Sequence, residues 1–144
     1  MNPVKSAPRP NEVYQQIEEN RQKIFKDVLD TKMKSIENFS ENRYELFIEA
    51  VNVFIDNKTK YDDFNTISIK TGYDNNYEKV PAVICKNIHN IIKNKIIDIA
   101  MSIVEANPGY IYVDGPYSYN TICFIIKEDK DKYKEKMKNS KNWW

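Results

Sequence analysis

The chain has one histidine, His89, which follows Cys85 by four residues. That spacing sets both side chains on one side of a helix. An imidazole beside a thiol can take its proton and leave a thiolate nucleophile, provided an orienting group and an oxyanion hole accompany the pair. A helix interior suits such a nucleophile poorly, because side chains there pack or face solvent. Packing is therefore the expected role of Cys85 and His89, and no residue is assigned as catalytic. Zinc fares no better, since a structural site takes four ligands and this pair supplies two.

Phosphate cradles need glycine so that backbone amides can approach the anion. The three glycines, Gly72, Gly109 and Gly115, form no such pattern. Nucleotide binding through a glycine loop is excluded, and no cofactor is expected. Carboxylates do gather: Asp62, Asp63, Asp74 and Glu78 flank one short strand, and Asp114 closes another. Two or three of these converging on Mg²⁺ would make a phosphoryl-transfer or nuclease centre. Their spacing follows no known coordination order, and aspartate in loops commonly serves turn chemistry. No metal site is assigned, and a small Mg²⁺-dependent enzyme stands as the third reading of the chain.

Aromatic residues are the most suggestive feature. Tyr110 and Tyr112 share one face of a strand, and Tyr117 and Tyr119 occupy the adjoining loop, with Tyr73 and Tyr77 placed to lie nearby. Tyrosines flanked by lysines can stack unpaired bases. They serve equally as a protein contact, because tyrosine supplies area at low entropic cost. The plain alternative is that such rings cover the sheet. Trp143 and Trp144 pose the same question, since large apolar side chains left in water are wasted.

The composition narrows the choice. In 144 residues, 22 basic side chains face 21 acidic ones, for a net charge of +1. A dedicated duplex binder carries a basic excess to replace phosphate counterions. Hydrophobic residues at 41% and charged residues at 30% describe a globular chain, well clear of disorder. The two cysteines, Cys85 and Cys123, follow no metal or redox spacing and read as free thiols of a reducing compartment. The first residues lack the apolar core of a signal peptide, and the apolar stretch from Ile84 to Val104 is interrupted by charges, so no membrane contact is expected. Abundant Lys, Asn, Ile and Tyr beside scarce Arg, Gly and Ala indicate an A+T-rich genome, as in many phages and large DNA viruses.

These residues must be positioned by a small number of elements. Residues 1–11, with three prolines, read as an extended arm ahead of a single domain over 12–144. Asn11 caps a helix over Glu12 to Ile36, and Ser40 caps a second from Glu41, making a helix pair. Asp56 to Asn65 reads as loop. Thr66 to Lys70 alternates as a short strand. Ala82 to Glu105 is an Ile-rich helix, held by packing because β-branched residues disfavour helix locally. Tyr110–Val113 and Thr121–Ile126 form a hairpin. Glu128 to Asn139 is a charged C-terminal helix. The fold class is α+β: a helix pair, a small mostly antiparallel three-stranded sheet packed on the Ile-rich helix, and the charged helix at the end.

The expected function is that of a non-enzymatic protein-interaction or assembly component, virus- or phage-encoded, cytoplasmic or within a virion. Its contact residues would be Tyr110, Tyr112, Tyr117, Tyr119, Trp143 and Trp144. Its partners would be other proteins, copies of itself or a larger assembly. A single-stranded nucleic-acid binder using the tyrosine hairpin is the runner-up.

Overall fold

The computed structural model describes residues 5–113 and 118–139. Helix α1 spans Pro10–Ser35. It starts two residues before the expected Glu12, because a proline's fixed φ suits the first helical position, where no amide hydrogen is needed. Arg9, not Asn11, is the capping residue, and its amide donates to Glu12 Oε2 at 3.2 Å.

A short helix α2, Glu37–Glu41, and helix α3, Arg43–Lys60, follow. Ser40 therefore sits inside α2 and caps nothing. Its hydroxyl and carbonyl oxygens instead accept from Arg43, whose guanidinium also reaches Ser102 Oγ at 2.7 Å. Helix α3 continues to Lys60, well into the stretch expected to be loop, and its last turn is tied by Thr59 Oγ1 donating to Ile55 O at 2.8 Å and by the Lys60–Asp56 ion pair.

Strand β1 is Ile67–Lys70, α4 is Ala82–Ala106, β2 is Tyr110–Val113 and β3 is Thr121–Ile126. A single 3₁₀ turn at Lys127–Asp129 leads into α5, Lys130–Asn139. The sheet is antiparallel in the order β1-β3-β2. Register pairs Ile67 and Tyr112 with Phe124, Ile69 with Ile122, and Tyr110 with Ile126, so these residues share one face.

That face meets α3 and α4. Ile88, Ile92, Ile96 and Ile103 of α4 are fully buried, as are Phe39, Phe47 and Phe124. Phe47 stands edge-on to Phe124 and Tyr110, with ring centroids 5.2 and 5.0 Å apart. Apart from Ala100 the buried residues of α4 are all isoleucine, β-branched and poor helix formers, so its stability comes from this burial. Helix α1 packs along α4, and α3 against β1 and α4. The bounds agree with an α+β class carrying a three-stranded antiparallel sheet. Among the described residues no helix is long and apolar enough to cross a membrane.

Candidate functional site

The polar centre of the molecule lies where the end of β1 meets the start of α4. Thr71 follows β1, and its amide donates to Asn120 O at 2.8 Å while its hydroxyl donates to Tyr119 O at 2.5 Å. The same hydroxyl accepts from Tyr73 N at 3.2 Å. Between them Gly72 takes φ +83°, and a Cβ there would lie 2.3 Å from Ser35 O. Only glycine lets the chain pass so close to the end of α1 and then turn. Tyr119 is held at φ 56°, a left-handed conformation that a bulky residue adopts at a cost.

This turn delivers Tyr73 to the core. Its hydroxyl lies 2.7 Å from Tyr77 Oη and 2.7 Å from His89 Nδ1. Burial lowers the affinity of His89 for a proton, and the Lys93 ammonium adds to the effect. With the ring neutral, the chain of bonds runs in one of two senses: Tyr77 to Tyr73 to Nδ1 with the ring proton on Nε2, or Nδ1–H to Tyr73 to Tyr77. Burial likewise pushes the Tyr73 phenol far above its ordinary value, and its hydrogen bond with Tyr77 pushes it further. The Tyr77 phenol is raised chiefly by burial, against the opposite pull of that same bond.

Lys32, only 8% exposed, closes the cluster from α1. Its ammonium donates to the carbonyls of Asp74 and Asn76, the latter at 2.7 Å, and sits 4.4 Å from the Tyr77 ring centroid. Carbonyl oxygens and a π face thus replace water around a buried cation, in place of a carboxylate. The arrangement ties the loop after β1 to α1. Reading the sequence for helical spacing missed Lys32, because a lysine on a helix is ordinarily a solvated face. The available signal was its place among Val28, Leu29 and Ile36 on the inward side of α1.

The expected pair of Cys85 and His89 does share a side of α4, but each side chain is engaged elsewhere. Cys85 Sγ donates to Val80 O at 3.5 Å, and His89 is taken by Tyr73. Asp74 serves as a turn residue: its Oδ1 accepts from Asn76 N at 2.9 Å. Among the described residues no group of three or more His, Cys, Asp or Glu side chains is placed to hold a metal ion. Asp114 lies outside the described residues.

Tyr110 and Tyr112 share a strand face as expected, and that face is the inner one. Both are half-buried, against Phe47 and Phe124 respectively. Tyr119 meets His89 edge-on, with Lys93 Nζ 5.7 Å from its ring centroid. Tyr117, Trp143 and Trp144 lie outside the described residues.

Apolar exposure is found instead on helices. From Lys5 through Lys23 every residue is exposed, including Val13, Tyr14 and Ile17 on α1. Glu18, Arg21 and Phe25 lie beside Val83 and Ile84, and Met33 and Ile36 beside Lys95. The two helices therefore run parallel, and α1 before Glu18 extends past the start of α4. Helix α3 also presents Tyr44, Ile48 and Ile55, each about half exposed. No protein-family model matches the chain, and neither a curated protein nor a solved structure does.

Proposed function

We propose that this chain is a non-enzymatic assembly component whose projecting helix α1 pairs with the same helix of a second copy. One observation carries the reading: the first half of the 26-residue α1 is exposed throughout, yet Val13, Ile17 and Asn20 recur at steps of four and three before Ile24 joins the protein's own core. That is the spacing of a coiled-coil seam with one polar layer. A projecting helical stretch without packing is marginal in water, and a partner along the seam would stabilise it.

Charge favours an antiparallel pair. Glu12, Glu18 and Glu19 precede Arg21, Lys23 and Lys26 along the helix. Antiparallel packing brings Glu18 of one copy beside Arg21 of the other, whereas parallel packing sets like charges together. Such a short pair would be of modest affinity, and would act in assemblies where many copies meet.

Sedimentation velocity of the full chain tests this. Wild type is expected to dimerise with rising concentration, and Val13→Asp with Ile17→Asp to remain at 17.1 kDa. Melting of the monomeric variant should be unchanged, because neither side chain is buried. Arg21→Glu should weaken the dimer and Glu18→Arg in the same chain should restore it. A wild type that stays monomeric at high concentration would overturn the reading.

A further inference from the structure

A second surface lies at the opposite end of α4, away from the projecting helix. Between the last turns of α4, the outer strand β2 and α5 runs an open groove of ≈ 460 Å³. Its walls are Met101, Val104, Ile111 and Val113 with the rings of Tyr112 and Tyr133, over the fully buried Ile125. Met101 is 52% exposed. The volume falls within the range of small-molecule sites, which are mostly apolar with a few polar groups that fix orientation.

The charged groups here are of one kind, set beside the rings of Tyr112 and Tyr133. Lys130 and Lys134, one helical turn apart on α5, stand on the groove's rim. Among the described residues neither lysine has a carboxylate or a carbonyl as partner; the one ion pair joins Lys60 to Asp56. Two uncompensated ammonium groups above an apolar trough define the chemistry of an occupant with one anionic end and one hydrocarbon body. Each ammonium keeps its water when the groove is empty, and gains a charge-assisted hydrogen bond when an anion arrives. The apolar walls lose their contact with water at the same step.

We infer that this groove binds a single-chain fatty carboxylate, its hydrocarbon against Met101, Val104 and Ile111 and its carboxylate between Lys130 and Lys134. At ~30 Å³ for each water-sized group, a chain of about ten carbons fills most of the space. A neutral chain of the same length would bury the same surface and lack the two lysine contacts, so the head group decides selectivity.

The experiment uses the full chain, with ¹³C-methyl methionine, and decanoate below its micellar concentration as the probe. Saturable movement of the Met101 methyl signal, with Met33 unmoved, is the expected result. Decanol should bind roughly threefold to tenfold more weakly, the range expected for two solvent-exposed charge contacts. Lys130→Glu with Lys134→Glu should reduce decanoate affinity by about that factor and leave decanol alone. Met101→Trp should block both ligands, and retained melting would show that the fold is kept. The inference is overturned if the Met101 signal stays still, if decanol matches decanoate, or if reversing both lysines leaves decanoate binding unchanged.

Discussion

The two halves of α4 are held by different physics. Its second half carries Ile96, Ile99 and Ile103 into a dry interior with Phe47, Phe124 and Tyr110, where rings meet edge to face and no hydrogen bond is needed. Its first half carries His89 to a chain of directional bonds with Tyr73 and Tyr77, closed by Lys32 and strung on Thr71. Close packing tolerates changes of chemistry and punishes changes of volume. A buried polar chain does the reverse, since each member left without a partner retains the cost of its lost water. The first half of α4 is thus the more exacting in chemistry and the second the more exacting in shape.

The largest expected effect breaks the dry half. Ile96 is fully buried, and Ile96→Ala should lower unfolding free energy by about 2–5 kcal/mol in denaturant titrations. Ile96→Val should cost only about 0.5–1.5 kcal/mol, which separates volume from polarity. A loss under ~1 kcal/mol for the alanine variant would mean that the packing side of the helix has been misidentified.

Next in size is a change that keeps volume and removes bonding. Tyr73→Phe leaves the ring in place and takes the central oxygen from Tyr77 and His89. The expected loss is about 1–3 kcal/mol, the range for stranding buried hydrogen-bonding groups. Tyr110→Phe on the dry side should cost much less, because Tyr110 is positioned by its ring contact with Phe47. Equal losses at the two tyrosines would erase the contrast between the halves.

The dry half was the more legible in the sequence, for a physical reason. Periodicity reports which side of an element meets apolar surroundings, so α4, β2 and β3 could be read from spacing alone. The hairpin strands fell at Tyr110–Val113 and Thr121–Ile126, as their β-branched and aromatic runs and flanking turn residues suggest. Pattern does not report which face of a half-polar strand turns inward, and Tyr110 and Tyr112 fit either. Register against Phe124 decides it. The polar cluster was invisible because its members are far apart in sequence: Lys32 meets Asn76 across 44 positions and Tyr73 meets His89 across 16. Gly72 is the one residue that announces the juncture, since only its missing Cβ allows the approach to Ser35.

The smallest expected effect is a pH dependence confined to the polar half. His89 in the folded chain binds a proton less readily than a free imidazole, chiefly through burial and then through Lys93. The unfolded chain takes up that proton near its ordinary pKa of about 6.5. Protonation therefore favours the unfolded state. The contribution of His89 is fully present above about pH 6.5 and declines as pH falls below it, levelling once the folded ring is also charged. The tyrosines act at the other end. Their raised values keep both phenols protonated in the fold, so stability is complete below about pH 10 and falls as pH rises beyond it, where the unfolded chain ionises first. Melting temperatures of wild type and His89→Gln measured from pH 8 to pH 5 isolate the first of these. Wild type should lose ground relative to the variant only below about pH 6.5, and parallel curves across the whole interval would show that the imidazole is not kept neutral by its surroundings.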